Sequence, residues 1–138
     1  MKSIVIYYTL LGHNKDIAGE IAKKNNSELL EFAPGNTLRV FQFFSGGKKL
    51  KKKAQKIDIS DFEEIIICGP IWAGKPAAAV KALLGVLDLK GKTVKTYFTF
   101  TQNYGETENS IKEQIKQKEA NLIDIQFKNI SKKVNPEA

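Results

Sequence analysis

The chain has 138 residues, of which 42% are apolar and 27% charged, and its formal net charge is +7. That length suits one domain with a core of its own, and the composition excludes a disordered or fibrous chain. A single cysteine, Cys68, and a single histidine, His13, exclude an internal disulfide, a cysteine-built zinc site and a histidine-rich metal site.

Met1-Lys2 and the apolar run Ile4 to Leu11 imitate the start of a secretion signal. The run stops at Gly12-His13-Asn14 with no small-residue cleavage site, and helical periodicity follows. No stretch approaches the ~20 apolar residues that span a bilayer. A soluble cytoplasmic protein is expected, and its positive charge favours acidic partners.

Ser3 to Tyr8 is a nearly continuous β-branched and aromatic run, the pattern of a strand buried on both faces. From Asn14 to Lys24 the period changes: Ile17, Ala18, Ile21 and Ala22 share one helical face. Asn25-Asn26 ends that helix, and Ser27 to Phe32 reads as a second strand. Thr37 to Phe44 fits helix or strand equally, and Lys48 to Lys56 holds six lysines in nine residues. Glu64 to Cys68 is another buried strand. Pro76 to Leu87 reads as a helix with Pro76 at its first position. Thr93 to Phe100, Thr107 to Lys118 and Leu122 to Phe127 read as strand, helix and strand.

This alternation argues for an α/β sandwich of three layers, with a five-stranded parallel sheet between helices. Such sheets bind ligands beyond the carboxyl ends of their strands. In the last strand Ile123, Ile125 and Phe127 alternate with Asp124, Gln126 and Lys128, which implies one wet face. The tail from Lys128 to Ala138 is short, polar and contains Pro136, so a C-terminal helix is expected to be short or absent. One face of the sheet should be thinly covered, left wet or shielded by a second subunit as a homodimer.

Three connections follow strands and invite inspection. They are Thr9-Leu10-Leu11-Gly12-His13-Asn14, then Gly69-Pro70-Ile71-Trp72-Ala73-Gly74-Lys75-Pro76, then Thr101-Gln102-Asn103-Tyr104-Gly105. With these residues the sequence resembles the flavodoxin family, especially its short members, from Lys2 to about Phe127. The most specific part is IIICGPIWAGKPAAAVKALL, which looks like the family's strand, Gly-x-Pro-x-Trp, Gly-x-Pro and helix block. The resemblance implies strand order 2-1-3-4-5 and FMN at the point where that order reverses; periodicity alone gives neither.

The first connection can also be read without the family. A tight turn entering a helix aims backbone N–H groups at one point, and the helix dipole adds positive charge there. Thr9 and Asn14 offer side-chain donors, and Gly12 allows close approach. The plainer reading makes Asn14 an N-cap of an ordinary strand–helix connection. The family pattern is hydroxyl-x-Thr-Gly-x-Thr, and this chain has Leu11 and Asn14 where threonines are usual. Two lost hydrogen bonds at about 1.5–3 kcal/mol each would lower FMN affinity by roughly two to four powers of ten. The amide of Asn14 would recover one of them, and His13 or Lys15 would add charge.

In the second connection Gly69, Pro70, Ala73 and Gly74 leave backbone groups open beside a flat ligand, with Ile71 between them, and Trp72 suits the cover of an aromatic ring. Tyr104 is the other stacking candidate, against the reading of an exposed loop aromatic. Cys68 reads as a small buried residue, and His13 as a helix-start residue rather than a base. No acid–base constellation is visible, which suits a flavin carrying the electrons itself. An FMN-binding electron carrier is expected, with acidic redox partners. Two alternatives stay open: a small FMN-dependent NAD(P)H reductase, and a cofactor-less binding module using the lysine cluster on an acidic partner. Nucleic acid is disfavoured as a partner, because the basic run lacks interleaved aromatics.

Overall fold

A computed structural model describes residues 2–9, 12–32, 52–72 and 74–130. The elements in chain order are β1 (Ser3–Tyr7), α1 (His13–Asn25), β2 (Glu28–Glu31), β3 (Glu64–Trp72), β4 (Lys75–Pro76), α2 (Ala78–Val86), β5 (Thr93–Phe100), α3 (Thr107–Gln117) and β6 (Asn121–Asn129). The sheet runs β2-β1-β3-β5-β6, and all four of these pairings are parallel. Counting only the parallel strands, this is the expected order 2-1-3-4-5. The short β4 folds back antiparallel on the end of β3, pairing Pro76 with Ile71 and Lys75 with Trp72.

Alternation along the strands divides the core in two. Ile4, Ile6, Ile65, Ile67, Val94 and Phe98 pack with Val80, Leu83, Leu84, Ile111 and Ile115 of α2 and α3. Val5, Tyr7, Ile66 and Cys68 face the other way, onto Ala18 and Ala22 of α1. Each fully buried isoleucine contributes about 1.5–3 kcal/mol through removal from water. The two small alanines let α1 lie close to the strands. That helix ends at Asn26, whose left-handed φ of 53° lets its N–H reach the carbonyls of Ala22 and Lys23. Across the molecule, Lys118 Nζ donates to the carbonyls of Gly85 and Leu87 at 2.8 and 3.1 Å and ties down the end of α2.

Several expectations need correction. Pro76 is not the first residue of a helix: it sits in β4, and α2 starts at Ala78 after Ala77 as N-cap. Pro76 has no N–H, but the N–H of Ala77 reaches the Pro70 carbonyl at 3.0 Å and closes the small hairpin. β3 does not stop at Cys68 but continues through Pro70 to Trp72, because β5 pairs with it as far as Pro70 and β4 beyond. In β6 a bulge interrupts the alternation: Val94 pairs with Leu122 and Lys95 with Asp124, so Ile123 is skipped. Leu122, Ile125 and Phe127 therefore pack against the core, while Ile123 is 53% exposed.

The other face of β5 and β6 is polar, as expected. Lys95 pairs with Glu64 at 3.2 Å, and Tyr97 donates its hydroxyl to Asp124 Oδ2 at 3.3 Å. Beside α1 this face forms a groove of about 330 Å³ between Ile17, Ile21 and Lys24 on the helix and Tyr97, Thr99 and Gln126 on the strands. Among the described helices, α1 alone packs on this face. Thr37 to Phe44, Lys48 to Lys51, and 131–138, where the C-terminal helix was expected to be short or absent, lie outside the described residues.

Candidate functional site

Because β1, β3 and β5 are parallel neighbours, their carboxyl ends open at one rim of the sheet. The three connections singled out in the sequence all leave from that rim. At the first, Gly12 adopts φ 93° as N-cap of α1, a conformation that costs other residues about 1–2 kcal/mol. Its N–H donates to Thr9 Oγ1 at 2.8 Å, which fixes the turn. The N-cap glycine brings no side-chain acceptor to α1, and the N–H groups of the first turn, which have no partner within the helix, point at the rim.

Asn14 is therefore not the N-cap. It lies in the first turn of the helix, is 2% exposed, and donates from Nδ2 to Thr99 Oγ1 at the end of β5, at 2.9 Å. Its Oδ1 has no partner among the described residues. Thr9, Gly12 and His13 are half-buried beside it, and Leu10 and Leu11 lie outside the described residues.

The second connection is drawn tightly to its neighbours. Trp72 is half-buried and meets the ring of Tyr8 edge-on, with centroids 6.1 Å apart and planes at 77°. Pro70 and Ile71 are buried, and Ala73 lies outside the described residues. Gly69 does not leave its backbone open to a ligand. A Cβ on it would stand 2.2 Å from Val80 Cγ2, so the missing side chain admits α2.

The second and third connections touch through backbone. A Cβ on Gly105 would lie 2.7 Å from the Gly74 carbonyl oxygen, and that carbonyl also accepts from Thr107 Oγ1 at 3.0 Å. Thr101, Gln102, Asn103 and Gly105 are exposed at this edge. Tyr104 is neither exposed nor detached: its ring stacks on Phe127 at 4.0 Å and 13°, and meets Phe100 edge-on at 5.2 Å. One face of Tyr104 is thus taken by β6.

Tyr8, Thr99 and Thr107 brace this rim and were not singled out in the sequence. Each looks like an ordinary strand or helix residue there, and only the pairing of distant segments gives it a role. Cys68 is fully buried, and burial pushes its thiol up to about 12. A thiol reagent at mildly alkaline pH should therefore leave the native protein unlabelled and label Cys68 only after denaturation. Burial, with the Asp124 carboxylate second, likewise pushes Tyr97 up to about 12. A raised folded-state value means that the unfolded chain loses its protons first. Stability should fall from the ordinary cysteine and tyrosine range up to about pH 12, measurable by denaturant titration across that window.

The described residues hold no cluster of three or more His, Cys, Asp or Glu suited to a metal, and no helix long and apolar enough to cross a membrane. No protein-family model matches the chain, and none of the curated proteins matches it. Solved structures do match. A flavoprotein from Lactobacillus acidophilus in complex with FMN is 22% identical, with 99% of each chain covered and a TM-score of 0.66. The two-electron reduced flavodoxin of Megasphaera elsdenii is 18% identical over 92% of this chain and 85% of its own, with a TM-score of 0.65. General stress protein 14 of Treponema denticola, in complex with FMN, is 11% identical over 99% and 91%, with a TM-score of 0.62. Strand order, parallel pairing and these likenesses agree: the chain has the flavodoxin-like α/β fold.

Proposed function

We propose that the chain binds FMN at the rim above β1, β3 and β5 and serves as an electron carrier. The observation that carries this reading is the meeting of three connections at one edge, joined by the Asn14–Thr99, Tyr8–Trp72 and Gly74–Gly105 contacts. The residues fit the group. A helix start whose N-cap is a glycine, without a side chain of its own, suits a phosphate dianion, and Thr9, Gly12, His13 and Asn14 lie at that turn. The connection from Pro70 to Gly74, with Trp72, and that from Thr101 to Gly105 supply the walls for a flat ring. Solved structures of the same fold from Lactobacillus and Treponema are complexes with FMN, which supports the same ligand here.

Bound flavin would supply the electron chemistry, and the chain's own residues would hold it and exclude water. The net charge of +7 directs such a carrier towards acidic redox partners. The exposed Lys52, Lys53 and Lys56 belong to the same basic segment.

The test is a titration of the purified protein with FMN. Quenched flavin fluorescence and co-elution at micromolar concentration are expected. Bleaching of the bound flavin by NADPH alone would assign the chain to the reductases instead. A folded protein that retains no FMN at micromolar concentration would make it a binding module.

A further inference from the structure

The pairing of Asn14 with Thr99 contains a contradiction that a ligand resolves. Asn14 is 2% exposed and Thr99 also 2%, and they are joined at 2.9 Å across 85 residues of sequence. With Nδ2 donating to Thr99, the hydroxyl proton of Thr99 is not used in the pair, and Asn14 Oδ1 is left buried without a partner among the described residues. A buried polar atom without a partner calls for an explanation. Turning the carboxamide end over end exchanges its oxygen and nitrogen without changing its shape. Thr99 then donates to Oδ1 through the same contact, and the NH2 group stands where the orphaned oxygen stood. Two N–H donors in the first turn of a helix, beside backbone N–H groups that have no partner within the helix, are matched by an acceptor-only anion.

We propose that Thr99 is a positioning residue, which holds the Asn14 carboxamide in the turned-over orientation so that its NH2 group donates to a phosphate dianion at the start of α1. This rests on the reading of the rim as an FMN site and adds how the chain discriminates FMN from riboflavin. The opposite orientation would direct an oxygen at the dianion, so phosphate and the Thr99 hydroxyl select the same rotamer. Discrimination then depends on a side chain contributed by β5, far from the turn in sequence.

The experiment uses the full chain, nitrogen-labelled, as wild type, Thr99→Val and Thr99→Ser, with thermal unfolding checking each fold. Inorganic phosphate should move the Asn14 side-chain amide resonances in wild type and Thr99→Ser but not in Thr99→Val. FMN affinity should fall about tenfold in Thr99→Val, the loss expected for one misdirected hydrogen bond, while riboflavin affinity stays and Thr99→Ser recovers most of the loss. An equal fall for FMN and riboflavin, or a phosphate response that persists in Thr99→Val, overturns the assignment. If wild type binds neither flavin but phosphate still moves the Asn14 amide in a Thr99-dependent way, the FMN reading fails and the Thr99 assignment stands. If wild type responds to neither flavin nor phosphate, both fall.

Discussion

Replacing Gly69 by alanine is expected to destabilise the protein by about 2–3 kcal/mol and lower its Tm by about 6–12 °C. The new Cβ would meet Val80 Cγ2 at 2.2 Å, well inside contact distance. Val80 is fully buried, and a β-branched side chain in a helix has essentially one rotamer, so it cannot turn away. Relief requires α2 to lift from β3, which opens the larger half of the core. Val80→Ala should be destabilising alone, by about 1–3 kcal/mol, yet should cost less in the Gly69→Ala background. Denaturant titrations of the four proteins give the coupling. Simple additivity of the two substitutions would mean that the strand–helix approach is not what requires glycine.

Gly105→Ala should act on the rim rather than on the core. At φ 54° an alanine costs about 1–2 kcal/mol in backbone strain alone. Its Cβ would also stand 2.7 Å from the Gly74 carbonyl oxygen and 3.1 Å from Gly74 Cα, and these atoms belong to backbone that cannot rotate aside. The second and third connections must separate, and FMN affinity should fall by more than about tenfold. Gly91→Ala is the matched control. It has φ 75° with nothing near its Cβ, before β5 at the opposite end of the sheet. It should lose only the stability that backbone strain costs and keep its flavin affinity. Equal losses of affinity in both variants would separate ligand binding from this backbone contact.

What the sequence revealed and what it concealed follow from range. Continuous apolar runs such as Ile65-Ile66-Ile67 announce strands buried on both faces, and they do pair on both sides. Asn25-Asn26 announces the end of α1 for a local reason, since asparagine tolerates the left-handed φ adopted at Asn26. Pro76 misleads because two roles share one local signature: a fixed φ and no N–H suit a helix start and the end of a hairpin equally. The decision rests with Ile71, its partner in β3. The bulge at Ile123 is invisible because the alternation of Ile123, Ile125 and Phe127 is regular in sequence, and only pairing with β5 shows which residue is extra. At the rim, the glycines and Trp72 stood out by type, while Thr99 and Tyr8 act through partners remote in the chain.

The skipped residue in β6 bears on how this molecule behaves in a crowded solution. Among the described strands β6 is the outermost on its side of the sheet, the position at which strands of different chains can pair. The irregularity between Leu122 and Asp124 twists the backbone of β6 out of register, and Asp124 and Lys128 place charge along it. A foreign strand would have to match the kink and bury those charges, which defends the protein against stacking into aggregates.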